Sequence, residues 1–432
     1  MYFVVEHIDQ LDQMSPSDSC FIQVISHNDL YHPKLTNLSL IYYNDFDKGY
    51  IFVINHCEGL SLETKSINKF ISNHKKVYLL DKKYHSYFID VENCIDLQFI
   101  SMNRNGKFQE FDCNTLLHRD FYQKHPEDPE LNKIVPISKH YEKCECLFGK
   151  IQDLVDLETD IKMEERLVRT YGEIEKCGIK IDQNLFDKFY KIPNKQYSIK
   201  DSIVYSLYNL YNITGRPTNS FNGVNFLAIP KDDDFRKCFL PKNDILVEFD
   251  FDAYHLRLIA NLIGFDCPKE SMHILLGREY FQTQELTDQE YKKSKEITFK
   301  QLYGGIEDQY KNIEFFSSLN NYIEKEWKKY NKFGATVLAT GRTINKREGL
   351  NKLRLFNYIV QNLETKENID KIEQILDYLK DKKSQLILIT YDSFLFDYSL
   401  EDGKKTLTEI KNILQTNNMI VKHKYGKDYS FE

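Results

Sequence analysis

Tryptophan occurs once in 432 residues, proline 10 times and glycine 17 times. No low-complexity segment and no internal repeat is found. No apolar run approaches the ~18 residues of a membrane span, which excludes a transmembrane helix and argues against a membrane partner. The opening residues, MYFVVEHIDQ, lack the basic region and apolar length of a secretion signal. Nine cysteines are scattered, and the nearest pair, Cys144 and Cys146, lacks the C-x-x-C spacing of a zinc knuckle or redox motif. Reduced thiols and a cytoplasmic location are therefore expected. Positive charge is not in excess either. A net charge of −7 excludes a protein that coats nucleic acid by bulk charge, but leaves room for a local basic groove.

What is present is core-forming. Apolar residues make up 41% of the chain, with 29 Phe and 29 Tyr, enough for two or three domains. Residues 20–29, 38–45 and 50–55 read as successive strands, 66–75 as a helix and 75–80 as a further strand. Residues 124–137 hold three prolines and read as a linker or irregular lobe. From 137 to 177 the pattern is helical and charged. A glycine-marked helix end, a short strand and another helix follow.

The C-terminal half carries the chemistry. ILVEFDF at 245–251 is a strand, followed by a helix with Leu256, Ile259, Ala260 and Ile263 at helical spacing. Residues 287–303 form a helix with a Thr287/Glu290 capping box and a Gly304-Gly305 stop. Helices are expected over 315–332 and 353–380. Residues 385–398 read as a hairpin turning at Tyr391-Asp392-Ser393. Asp250 and Asp392 each end an apolar strand. Neighbouring strands would bring the two together, and oxygen ligands of that kind suit Mg²⁺ and phosphoryl transfer. Taken singly, Asp250 also fits a helix cap and Asp392 a turn. Tyr291, Lys295, Phe299 and Tyr303 recur every four residues and form one stripe, suited to phosphate and base or to a core face with a snorkelling lysine. Arg216, Arg236 and Lys237, interleaved with Asn219, Asn222 and Asn225, suit phosphate and minor-groove contacts or an ordinary loop. Further basic residues cluster at Lys292–Lys295, Lys325–Lys332 and Arg342–Arg354.

In order, these pieces resemble a family A DNA polymerase, the class of bacterial polymerase I and many phage replicases. FDFDAYHLRLIANL resembles that family's DYSQIELRILAHL, KKSKEITFKQLYGG its RRxAKxxNFGxxYG, and ITYDSFLF its VHDEI. ITGRPTNSFNGVNFLAIP is similar to TGRLSSxxPNLQNIP with two extra residues. RTYGEIEKCGIKID resembles the entry to the thumb, MHILLGREYF the DIHxxTAxxxF of the fingers, and NKLRLFNYIVQN the RxxxNxPxQG segment. The likeness covers about residues 160–400. It implies an α/β and α+β chain: an RNase H-like domain over 1–150, then a right-hand polymerase. That polymerase would comprise a reduced thumb (151–215), palm (216–252 and 336–432) and fingers (253–335).

The resemblance also implies roles. Asp250, Asp392 and the Phe251 carbonyl would hold two Mg²⁺ ions, for which Mn²⁺ can substitute. Lys295 and His273 would meet the dNTP phosphates, Phe299 its sugar and base, and Tyr303 would guard insertion. Arg216, Asn225, Arg236, Arg342, Arg354, Asn357 and Gln361 would contact primer–template DNA. The departures are specific. His255 stands where a Glu excludes ribose, and Tyr391 and Ser393 flank the second Asp in place of His and Glu. Leu227 replaces a Gln. Tyr291 replaces an Arg, whose charge Lys292 is expected to supply. Only about 25 residues separate Tyr190 from Gly215, so a processivity partner is expected.

FIQVISHNDLYHPKLTNLSLIYY and HKKVYLLDKKYH resemble the first two motifs of a proofreading exonuclease, and Tyr141 with Glu145 the third. Val24, Ser26 and His85 occupy acid positions there, and Asp81 stands at an Asn, so a non-cleaving domain is expected. The alternatives are a catalytically weak relative acting as a nucleic-acid-binding subunit, a ribonucleotide-tolerant polymerase, and an unrelated acidic α/β hydrolase with a metal site. A phage-encoded chain would work in its host's cytoplasm.

Overall fold

The structure is a computed structural model. It describes residues 2–431 apart from 107, 112, 114–122, 158–159, 191–196, 220–222 and 232. Asn222 therefore lies outside the described residues. The chain forms two compact units, Met1–Tyr211 with Asn219–Ala228, and Asn212–Thr218 with Ile229–Glu432.

The N-terminal unit is built on a six-stranded sheet. Its strands are β1 (Phe3–Val5), β2 (Ser19–Ser26), β3 (Leu38–Asn44), β4 (Gly49–Val53), β5 (Lys76–Leu79) and β6 (Cys94–Asp96), in the order β1-β4-β3-β2-β5-β6. β2, β3 and β4 are an antiparallel meander. β5 and β6 extend it in parallel from β2, after helix α1 (Thr64–Ile71). Every residue of β3 is buried, which is why LSLIYYN reads as a continuous apolar run rather than an alternation. Ile22, Ile41, Phe52, Ile67 and Leu79 share its core. Helices α2 (Ile137–Ile151) and α3 (Lys162–Cys177) follow, then β7 (Ile179–Ile181) and α4 (Gln183–Phe189).

The proline-rich segment at 124–137 is not a free linker. Asn28 donates to the carbonyls of Pro126 (3.1 Å) and Asp128 (2.7 Å), and Asn132 donates to that of Ser26 (2.8 Å). Its turns use buried asparagines to satisfy backbone carbonyls that no strand could pair.

In the C-terminal unit the sheet is fully antiparallel. It contains β8 (Ile245–Phe251), β9 (Gln385–Thr390), β10 (Ser393–Tyr398) and β11 (Val421–Gly426), in the order β9-β10-β8-β11. Five helices join β8 to β9: α5 (Tyr254–Ile263), α6 (Met272–Phe281), α7 (Asp288–Gly304), α8 (Glu314–Phe333) and α9 (Lys352–Leu379). Helix α10 (Gly403–Leu414) precedes β11. α7 starts at the expected capping box: Thr287 Oγ1 accepts from the Glu290 N–H, and Glu290 accepts from the Thr287 N–H. Leu256, Ile259, Met272, Leu302, Phe316 and Phe356 form the helical core. At 28 residues, α9 is about 40 Å long and passes many of these elements.

Candidate active site

The antiparallel register of β8 and β10 sets Asp250 opposite Ser393, so Asp250 and Asp392 come to the same end of the sheet. The Phe251 N–H donates to the Asp392 carbonyl (2.9 Å), fixing the two strand ends together. Asp392 lies in a two-residue hairpin turn whose other member, Tyr391, has φ = 58°. Such turns favour glycine or asparagine at positive φ, so a tyrosine there is strained. Two neighbours hold it. Asn368 Nδ2 donates to the Tyr391 carbonyl (3.1 Å), and the Arg216 guanidinium lies 3.7 Å above its ring. Ala253, just after β8, is also left-handed at φ = 53° and turns the chain into α5.

Burial, and then the negative charge of Asp250, raise the Asp392 carboxyl to about 6. A cation beside the pair would relieve this repulsion, and one is already present. Lys231 Nζ lies 3.0 and 2.9 Å from the two oxygens of Asp250. Burial opposes the charge on Lys231, but Asp250, Asp392 and Glu248 outweigh it and raise its pKa. An all-oxygen pair occupied by an ammonium group is a donor set that fits a hard divalent cation. Among the described residues, no cluster of three His, Cys, Asp or Glu side chains offers an alternative metal site.

A cavity of about 400 Å³ opens from this pair and reaches Lys295, Phe299 and Tyr303 on α7. Lys295, Phe299 and Tyr303 of the stripe line the cavity, Tyr303 also packing on the helical core, while the fully buried face of α7 is Ser294, Thr298, Gln301 and Leu302. Lys295 Nζ lies 4.5 Å above the Tyr291 ring, and Phe299 and Tyr303 are near-parallel at 6.3 Å. His273 packs against the rings of Phe299 and Tyr291. Its imidazole is buried, which together with the charges of Lys295 and Lys422 lowers its pKa to about 4. Its Nδ1 has no hydrogen-bond partner.

His255 is clamped. Its Nε2 lies 2.7 Å from Glu364 on α9, and its Nδ1 meets the Tyr303 hydroxyl. A single neutral tautomer satisfies both, with Nε2–H donating to Glu364 and Nδ1 accepting from Tyr303. Burial and Glu364 raise the Tyr303 phenol to about 12. Glu364 also accepts from Arg216 at 3.1 and 3.0 Å. A carboxylate from α9 thus meets the His255 side chain.

The residues expected on DNA separate into two groups. Arg354 is exposed, and Asn357 and Gln361 are half-buried on the face of α9 that carries Glu364. The buried Asn357 Oδ1 has no partner. Asn225 is exposed in the N-terminal unit. Arg236 and Arg342 are buried instead, each 4% exposed. Arg236 stacks on Tyr429 at 4.1 Å and donates to the Pro230 carbonyl at 2.9 Å, while Arg342 donates to the Asn212 carbonyl. The Arg342 guanidinium also crowds Gly215, where a Cβ would lie 3.2 Å from it. Both arginines are internal struts, because loop carbonyls capture their guanidinium groups. Lys292 is exposed and does not line the cavity.

Sequence reasoning missed Lys231, Lys422, Glu364 and Arg257. Lys422 on β11 lines the cavity, with Nζ 3.6 Å from Asp252. Arg257, 1% exposed, donates to the carbonyls of Asp252, Pro268, Asn418 and Glu270, tying the loops around the site together. The L-R pair of HLRLIANL was the available signal for Arg257. The others had none, since each depends on contacts distant in sequence.

In the N-terminal unit, Val24, Ser26 and His85 are buried. The Val24 N–H donates to His85 Nε2 (3.1 Å), and His85 Nδ1 bonds the Asp81 carbonyl (2.9 Å). Burial lowers this imidazole to about 4, so it is neutral near pH 7. Ser26 Oγ accepts from the Tyr84 hydroxyl (2.7 Å) and donates to Asp29 (3.2 Å). Glu145 accepts from Tyr42 (2.6 Å).

No helix among the described residues is long and apolar enough to cross a membrane. No protein-family model matches the sequence, and no curated protein sequence matches it. Solved structures do match. The polymerase (POL) domain of Pol1 from M. smegmatis, in complex with DNA primer–template and dNTP, aligns with a TM-score of 0.71 and 13% sequence identity. The alignment covers 100% of each chain. At that identity the likeness establishes the fold: this mixed α/β chain has the fold of a DNA polymerase domain.

Proposed function

We propose that the chain is a template-directed DNA polymerase of the family A type, adding dNTPs to a primer 3′ end without proofreading. The observation that carries this reading is the meeting of Asp250 and Asp392 across one cavity from Lys295, Phe299 and Tyr303. Asp250, Asp392 and the Phe251 carbonyl would hold two Mg²⁺ ions, or Mn²⁺ in their place. When bound, such ions stabilise charge on the attacking and leaving oxygens of a phosphoryl transfer.

The protein's own groups would do the positioning. Lys295 and His273 take the phosphates, Phe299 stacks on the nucleotide, and Tyr303, braced by His255 and Glu364, bounds the insertion site. Arg354, Asn357 and Gln361 would follow the primer–template along α9, with Arg216 beside the turn of Asp392. The order of β1 to β6, an antiparallel meander extended by two parallel strands, supports an RNase H-like domain over residues 1–150. The internal hydrogen bonds of His85 and Ser26 support loss of cleavage there. Residues 151–215 would form a reduced thumb, 216–252 and 336–432 the palm, and 253–335 the fingers. So short a thumb is consistent with a processivity partner.

Primer extension tests this reading. With primed template, Mg²⁺ and dNTPs, the protein should extend the primer, and Asp250→Ala should not. A primer 3′ label should survive incubation without nucleotides. The seating of Lys231 on Asp250 favours a second reading, a catalytically weak nucleic-acid-binding relative. Tight primer–template binding with no extension, even after Lys231→Ala, would select it. Equal extension with rNTPs would mark a ribonucleotide-tolerant enzyme.

A further inference from the structure

The cavity brings carboxylates and cations together. The strand ends carry Asp250, Asp392 and Lys422. The helices carry Lys295 and His273, whose Nδ1 has no partner. His273 is 4% exposed, so a buried Nδ1 with no partner on the cavity wall points to a ligand that supplies one. A polyphosphate chain carries several negative charges. Lys295 on α7 is one cation for it, and Tyr291, one turn earlier, supplies a ring rather than a charge. Lys292 lies about 100° around the helix from Tyr291 and is not on the cavity wall.

The geometry points to Lys422 as a second phosphate-binding lysine of the site, contributed by the last strand of the palm-like sheet rather than by the α7 helix. β11 pairs with β8 so that Lys422 lies directly opposite Asp250, and paired residues project from the same face of a sheet. Its Nζ is 3.6 Å from Asp252 Oδ1, and its side chain is 67% exposed. At 3.6 Å the pair is longer than a hydrogen bond, and the largely buried Asp252 carboxylate keeps the Ser271 hydroxyl (3.4 Å) when the exposed ammonium turns to an incoming phosphate. His273, Lys295 and Lys422 line one cavity. The ligand class is a nucleoside triphosphate, held through its outer phosphates. This assignment rests on the polymerase reading for the nucleotide, but not for the polyphosphate.

Two measurements test it. In single-nucleotide incorporation on primed template, Lys422→Ala should raise the KM for dNTP about tenfold and change kcat by less than about threefold. Lys422→Arg should restore the KM. Lys424→Ala, two residues along the same exposed strand, should match the parent. In calorimetric titration without divalent metal, inorganic tripolyphosphate should bind the parent about tenfold more tightly than Lys422→Ala. An unchanged KM and unchanged tripolyphosphate affinity in Lys422→Ala overturn the assignment, as does transfer of the effect to Lys292→Ala. If the parent extends no primer, the polymerase reading fails. Loss of tripolyphosphate binding in Lys422→Ala would then still support a polyphosphate site at Lys422, and its absence would overturn it.

Discussion

Two strand ends in this chain contrast sharply. At the end of β2, Val24 and Ser26 stand where the resemblance expects acids, and His85 covers the Val24 backbone with both ring nitrogens engaged. At the end of β8, Asp250 raises the carboxyl of Asp392, an ammonium group is held on Asp250, and a neighbouring imidazole nitrogen has no partner. The first end has closed its polar groups on each other. The second still raises a carboxyl to about 6 with an ammonium group beside it, and keeps an open volume. Chemistry needs groups whose demands are not yet met by the protein, and only the second end offers them in one cavity.

The sharpest way to break this contrast is at β8. Asp250→Ala or Asp392→Ala should lower primer extension by on the order of 10³-fold, about 4 kcal/mol of barrier, measured in single turnover. Near-parent activity in either variant would mean the open end is not the reacting one. The converse attempt is at β2. Val24→Asp would bury a carboxylate at a residue only 3% exposed, beside an imidazole that already accepts the local N–H. It should cost about 3 kcal/mol in urea denaturation and confer no nuclease activity. A stable Val24→Asp protein that degrades primers would show that the closed end can reopen.

A smaller effect separates struts from contacts. Arg236→Ala should destabilise the protein by about 2 kcal/mol, because it removes a buried guanidinium from Tyr429 and Pro230. Arg354→Ala should leave stability unchanged, weaken primer–template binding across sequences and reduce its salt slope by about 1. Denaturation and binding titrations distinguish the two.

The smallest effect is a titration. Burial and Asp250 raise Asp392 to about 6 from its ordinary 3.8, and burial and Asp81 raise Asp96 in the N-terminal unit to about 6. Both acids are harder to ionise folded than unfolded. Their contribution to stability is therefore greatest below about pH 4 and is lost as pH rises through 6. Carboxyl NMR should show Mg²⁺ lowering the Asp392 midpoint while Asp96, hydrogen-bonded to Tyr211, stays near 6. Equal responses would remove the distinction between the two sites.

Local pattern and residue order revealed the parts that depend on neighbours in sequence. The apolar strand ending in Asp250, the hairpin around Asp392, the capping box of α7 and its four-residue stripe all follow from spacing. What stayed hidden depends on pairing across long separations. Lys422 reaches the site through the β8–β11 register, and Glu364 through the course of a 28-residue helix. Lys231 lies in an irregular stretch whose path no periodicity describes. Arg236 and Arg342 read as groove residues because arginine in a loop is usually solvated, yet loop carbonyls folded over them. The prolines of 124–137 suggested a linker because the asparagines that fasten the segment are either remote, as Asn28 is, or indistinguishable from turn formers.

The account turns on two carboxylates sharing cations, and Mn²⁺ binding followed by electron paramagnetic resonance measures that directly. With a dNTP present, the parent should bind Mn²⁺ saturably, and Asp250→Asn with Asp392→Asn should abolish the protein-dependent signal. Mn²⁺ binding unchanged by the double substitution would contradict it.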